Sequence, residues 1–67
     1  MPRIIIQALR GRSLEQKREL ARRLTSDVVE VFGVPPDAVT IWIEEGEPEN
    51  FARGGTLGVD RDTPSAG

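Results

Sequence analysis

The sequence predicts an α+β fold built on a single β-α-β unit, and three observations predict it. A β-branched run opens the chain, a long amphipathic segment with a capping signal follows, and a second run alternates apolar and polar residues after a pair of prolines. With 67 residues the chain is one domain at most. A core of that size contributes only about 3 to 5 kcal/mol, so we expect the fold to need additional stabilisation.

The first element is a strand from Pro2 to Leu9, bounded by a turn that contains glycine and arginines. Its apolar residues fall on both sides, with Ile4 and Ile6 on one face and Ile5 and Leu9 on the other. This pattern is typical of a strand that is covered on both faces. A single helix covers only one face, so the other is expected to meet a partner.

The second element is a helix that begins after Ser13 and ends at Gly33. Ser13 and Gln16 have the spacing of a capping box, and apolar residues then recur at alternating steps of three and four, with Lys17 as the one polar member of the stripe. Gly33 is suited to the left-handed C-cap, and Pro35-Pro36 prevents continuation. About 19 helical residues rise roughly 28 Å, close to the roughly 26 Å of an eight-residue strand, so the helix carries the chain back to its start.

The third element is a strand over Val39–Glu44, which alternates with period two. A helical crossover between two strands predicts that they are parallel and that the connection is right-handed. Residues 46–58 are expected to form a loop and a short C-terminal hairpin with Gly54-Gly55 at its turn. The predicted domain therefore covers residues 1–58, and residues 59–67 are expected to be a flexible tail.

The composition excludes several classes of function. The chain has no cysteine and no histidine, which excludes disulfides, thiolate metal sites and a Ser-His or Cys-His nucleophile pair. A net charge of −2 and a pI near 5.0 argue against a nucleic-acid partner. No apolar run approaches the ~20 residues of a membrane span, so we expect a cytoplasmic protein. Oligomerisation is the stabiliser that remains.

The candidate catalytic group is the nitrogen of Pro2. Without histidine or cysteine, an α-amino group with a pKa of about 8 is the only base that titrates near neutrality without a large perturbation. Removal of Met1 before a proline would expose such a group as a secondary amine, which can act as a general base. The alternative is structural, because a proline also opens an edge strand at no cost.

Several segments together resemble the 4-oxalocrotonate tautomerase family over about residues 2 to 57. They are Pro2 before a β-branched strand, Gly11-Arg12-Ser13 followed by Glu15-Gln16-Lys17, Val34-Pro35-Pro36, and Asn50-Phe51-Ala52-Arg53-Gly54-Gly55. The resemblance implies a β-α-β protomer that pairs into a four-stranded sheet, with three dimers forming a homohexamer and active sites at subunit boundaries. It also implies a tautomerase that interconverts enol and keto forms of a 2-oxo acid, such as a 2-hydroxymuconate-like or phenylpyruvate-like substrate in aromatic degradation, without metal or cofactor.

The resemblance also implies roles for individual residues. Pro2 is the base and then the acid, Arg12 binds a substrate carboxylate, and Phe51 lines the pocket. Thr40 stands where the best-known members of the family carry a second arginine, so it supplies one neutral hydrogen bond instead of a charge. Arg53, two residues beyond Phe51, is a candidate for the missing charge from another subunit.

Two further residues and two further functions stay open at the sequence level. Arg3 adjoins the proposed base, and Trp42 shares a strand face with Thr40. One alternative is a hydratase-dehalogenase or decarboxylase on the same fold, which needs an additional carboxylate in the region that Arg53 occupies. The other is a non-catalytic oligomeric binding module, which the absence of charge at Thr40 favours.

Overall fold

The computed structural model describes residues 1–61, and it confirms the predicted α+β fold with parallel strands, a crossover helix and a C-terminal hairpin. The elements are β1 (Arg3–Leu9), α1 (Leu14–Phe32), β2 (Thr40–Gly46), β3 (Ala52–Arg53) and β4 (Thr56–Leu57), with single 3-10 turns at Pro36–Ala38, Pro48–Asn50 and Gly58–Asp60. Most of the tail predicted for residues 59–67 lies outside the described residues, so its flexibility stays a prediction. No helix within residues 1–61 is long and apolar enough to cross a membrane.

The strands β1 and β2 pair in parallel, with Arg3 opposite Thr40 at one end and Leu9 opposite Gly46 at the other. Pro2 lies just outside β1, and its carbonyl accepts a hydrogen bond from the Thr40 amide at 3.0 Å.

The observed bounds of β2 differ from the strand predicted over residues 39–44. It starts one residue later because the amide at position 39 closes the preceding 3-10 turn, and it continues to Gly46 because β1 offers pairing partners that far.

Local hydrogen bonds explain the bounds of α1. The Ser13 hydroxyl accepts from the Gln16 amide at 3.1 Å, and the Gln16 side chain accepts from the Ser13 amide at 2.9 Å, so the predicted capping box is confirmed. At the other end Gly33 adopts a φ of 69° and donates its amide to the Val29 carbonyl at 3.0 Å. Glycine takes this left-handed conformation without the cost that a Cβ imposes.

The helix covers one face of the two-stranded sheet. An ion pair joins Lys17 of α1 to Glu45 of β2, which identifies the helix-facing side of the sheet. The alternating exposure along β1 places Ile4 and Ile6 on that half-buried side. Lys17, the one polar member of the helical stripe, therefore lies on the side of α1 that faces the sheet.

The opposite face of the sheet, called here the open face, is exposed. It carries Arg3, Ile5 and Gln7 of β1 beside Thr40, Trp42 and Glu44 of β2. Ile5 is 52% exposed and Trp42 is 55% exposed. No side chain among residues 1–61 is fully buried, and the radius of gyration of 14.9 Å exceeds the about 11 Å of a compact chain of this length. One chain therefore does not close a core of its own.

Candidate active site

The amino-terminal end of the sheet holds Pro2 and Thr40. Pro2 is half-buried and follows Met1, which is 95% exposed. Thr40 begins β2, its amide donates to the Pro2 carbonyl, and its side chain lies on the open face beside Arg3. This end therefore brings together the predicted base, a hydroxyl and one arginine.

The carboxyl-terminal end of the sheet opens into a cavity of about 480 Å³. Its walls are residues 7–9 of β1, residues 44–46 of β2, and Asn50, Phe51 and Arg53 from the segment that follows. The ends of parallel strands meet at one edge of a sheet, which is why these two strand ends line the same cavity. Two of the predicted site residues, Phe51 and Arg53, are thus side by side.

Phe51 and Arg53 are held by the C-terminal hairpin. The Phe51 carbonyl accepts from the Gly58 amide at 2.7 Å, which ties the aromatic residue to the end of β4. The guanidinium carbon of Arg53 lies 5.7 Å from the centroid of the Phe51 ring, a cation–π arrangement. Within residues 1–61 the Arg53 side chain forms no ion pair. The positive charge of Arg53 therefore lies over the Phe51 ring, which forms an apolar wall of the cavity.

Arg12 lies at the same carboxyl-terminal end, just beyond β1. Its guanidinium Nη1 donates to the Leu9 carbonyl at 3.1 Å, which orients the side chain toward the strand end. The nearby carboxyl of Glu45 has a lowered pKa, mainly because Lys17 donates a hydrogen bond to it and in smaller part because of the charge of Arg12. This end of the sheet therefore holds carboxylates and cationic groups close together, with Glu45 favoured in its ionised form.

The two groups of site residues do not meet within one chain. Pro2 and Thr40 mark the start of the sheet, whereas Arg12, Phe51 and Arg53 mark its finish. Six residue steps separate the ends of β1, a distance of about 20 Å at the usual strand rise. A site that contains all five residues therefore needs more than one copy of the chain.

Sequence comparison decides the family. The family model described as "Tautomerase enzyme" matches residues 2–61. This chain belongs to the 4-oxalocrotonate tautomerase family. The predicted resemblance is thereby confirmed, and the protein is an enzyme of the tautomerase class.

Individual relatives agree with this placement. The 2-hydroxymuconate tautomerase of Comamonas testosteroni is 38% identical over 55 residues, which cover 82% of this chain and 87% of the relative. A crystal structure of a 4-oxalocrotonate tautomerase homologue superposes with a TM-score of 0.87 at 35% identity, covering 94% of this chain and 100% of the other. A heterohexameric 4-oxalocrotonate tautomerase from Chloroflexus aurantiacus matches with a TM-score of 0.80 at 38% identity, covering 90% and 97%.

The cavity at the carboxyl-terminal end of the sheet also contains polar residues to which the sequence assigned no role. Gln7 donates from its side-chain nitrogen to a Glu44 carboxylate oxygen at 3.1 Å across the strand pair, and Asn50 lines the same cavity. Gln7 and Glu44 are 37 residues apart, and only the register of β1 on β2 makes them neighbours. The sequence carries no local signal for this pair.

Proposed function

We propose that this tautomerase interconverts the enol and keto forms of a 2-oxo acid, a small molecule of the 2-hydroxymuconate or phenylpyruvate type, with the Pro2 amine as general base and acid. The observation that carries the proposal is family membership combined with a proline that follows one fully accessible residue. Removal of Met1 converts an uncharged amide nitrogen into a basic secondary amine. The sequence identity of 38% with a 2-hydroxymuconate tautomerase supports the choice of substrate class.

The reaction balances without a co-reactant. The neutral amine of Pro2 takes the proton of the enol hydroxyl as the carbon–oxygen double bond forms, and the resulting ammonium returns a proton to a carbon of the conjugated chain. The product is an isomer of the substrate, and the amine is regenerated. One group thus serves as base and acid in turn, as the predicted role of Pro2 requires.

The remaining site residues have complementary roles in this proposal. Arg12 binds a substrate carboxylate through the parallel N–H groups of its guanidinium and draws electron density toward that end of the molecule. Phe51 provides the apolar wall that excludes water, and desolvation of this kind lowers the pKa of an amine. Thr40 donates a neutral hydrogen bond, and Arg53, stacked on Phe51, contributes a second positive charge.

An oligomer completes the site in this proposal. Pairing two sheets edge to edge about a two-fold axis makes the facing strands antiparallel, which sets the Pro2 end of one protomer beside the Phe51 end of its partner. The open face with Ile5 and Trp42 supplies apolar area for stacking such dimers. We therefore propose a homohexamer, a trimer of dimers. The heterohexameric relative makes a second, related chain the alternative subunit.

The test compares a chain with a free Pro2 nitrogen against one in which an uncleaved residue precedes Pro2. Blocking the nitrogen is expected to lower kcat/KM for 2-hydroxymuconate or the enol of phenylpyruvate by about 100- to 10,000-fold, the usual contribution of a positioned acid–base group. Pro2→Ala should fall as well, whereas Pro35→Ala is the matched control and should keep its activity. Mass spectrometry of the N-terminus identifies which form is assayed. Equal activity of the blocked and free chains would contradict the role of Pro2.

A further inference from the structure

Arg3 is a cation at the proline end of the sheet to which the proposed function assigns no role. It is exposed, and within residues 1–61 its side chain makes no hydrogen bond or ion pair. Its Cα is paired with that of Thr40 in the register of β1 on β2, and both side chains lie on the open face. Neighbouring strands lie about 4.7 to 4.9 Å apart, so the two side chains leave the sheet next to each other on the same face.

The chemistry of a 2-oxo acid requires a cation at this end. The substrate carboxylate is one bond from the carbon whose oxygen gives up the proton, so it lies close to Pro2 throughout the reaction. Arg12 and Arg53 of the same chain lie at the far end of the sheet, about 20 Å away at the usual strand rise, so in the proposed dimer they approach Pro2 only from the partner, and Arg3 is the cation that the chain itself places beside Pro2. Asp37 lies in the 3-10 turn that precedes β2, and it forms no ion pair with Arg3 among the described residues.

We propose that Arg3, together with the Thr40 hydroxyl, binds the substrate carboxylate that adjoins the 2-oxo group. The proposal rests on the proposed tautomerase function and adds a specificity-determining residue to it. A guanidinium holds a carboxylate through two charge-assisted hydrogen bonds, and the hydroxyl donates a third. In this proposal Arg3 of β1 supplies the positive charge at this end of the site. Thr40, its partner on β2, is uncharged.

The experiment removes the charge from Arg3 and then places it on the opposite strand. The variants are Arg3→Gln, the double variant Arg3→Gln with Thr40→Arg, and Arg18→Gln as a control. Arg18 lies on the helix and is paired with Glu15, outside both ends of the sheet. Each variant is assayed with the enol of phenylpyruvate and with its methyl ester, and its oligomeric state is measured by sedimentation.

Loss of a hydrogen bond to a charged group predicts a fall of about 10- to 100-fold in kcat/KM for the free acid with Arg3→Gln, mainly through KM. The ester should be unaffected, because it carries no carboxylate. The double variant should recover most of the lost activity, and Arg18→Gln should match the wild type. An equal fall for acid and ester would assign Arg3 to the assembly and overturn the proposal, as would unchanged activity on the acid or a double variant that recovers nothing.

A binding measurement separates this proposal from the role of Pro2. Calorimetry with 3-phenylpropanoate, a saturated acid that undergoes no tautomerisation, reports on carboxylate binding alone. Weaker binding by Arg3→Gln supports the proposal even if Pro2→Ala stays fully active, a result that would contradict only the proline chemistry. Unchanged binding by Arg3→Gln, with Pro2→Ala inactive, overturns the role of Arg3 and leaves the proposed function intact.

Discussion

Replacing Trp42 by alanine is expected to dissociate the assembly, because this side chain is the largest apolar group on the open face. A tryptophan buries about 150 to 250 Å² in an interface. Trp42 is 55% exposed in one chain, which leaves about 110 Å² of its surface for a partner to cover. Burial of that area contributes about 2.8 kcal/mol to the free energy of association, at about 25 cal/mol per Å². Where two stacked protomers each bury their Trp42, the contact loses up to about 5.5 kcal/mol, which raises the dissociation constant by up to about 10,000-fold.

Sedimentation equilibrium over a range of concentrations measures this change directly. The far-ultraviolet circular dichroism signal of the helix should fall in parallel at low protein concentration and recover at high concentration. The described part of the chain has no fully buried side chain, so we expect folding to be coupled to association. The matched control is Phe32→Ala, which removes a 66% exposed ring at the end of α1, away from the open face. A Trp42→Ala protein with the wild-type mass at low concentration, or equal dissociation by Phe32→Ala, would refute the reasoning.

Three further predictions follow from local geometry. Gly33→Ala should cost about 1 kcal/mol in the free energy of unfolding because a Cβ is strained at its φ of 69°, and a melting temperature equal to the wild type would contradict this. Gly58→Ala should lower kcat/KM with little loss of helix, since its Cβ would lie 3.3 Å from the Phe51 ring and 3.0 Å from a backbone oxygen; unchanged kinetics would show that the ring position is unimportant. The pKa of Glu45 is lowered by its hydrogen bond from Lys17, so its contribution to stability is present above the ordinary value of 4.5 and is lost as pH falls through the lowered value. Glu45→Gln should therefore reduce the loss of melting temperature on acidification below pH 4.5, and an identical pH dependence would argue against the pair.

Local interactions explain why so much of the fold follows from sequence alone. The capping box joins residues three positions apart, and the C-cap depends on the φ of Gly33 itself, so both are visible in the order of residues. The apolar residues on both faces of β1 likewise predict that the helix covers one face and that the other meets a partner. The bounds of β2 were less accurate, because a 3-10 turn determines where it starts and pairing with β1 determines where it ends.

The site was predicted only as a set of residues, through the family resemblance and the absence of histidine and cysteine. The sequence by itself determined that Pro2 is the candidate base, that Arg12, Thr40, Phe51 and Arg53 accompany it, and that one sheet face needs a partner. Only the tertiary structure decided which of them are neighbours. Strand register depends on contacts between residues 37 positions apart, and it places Arg3 beside Thr40 while it separates Pro2 from Phe51 by the length of a strand.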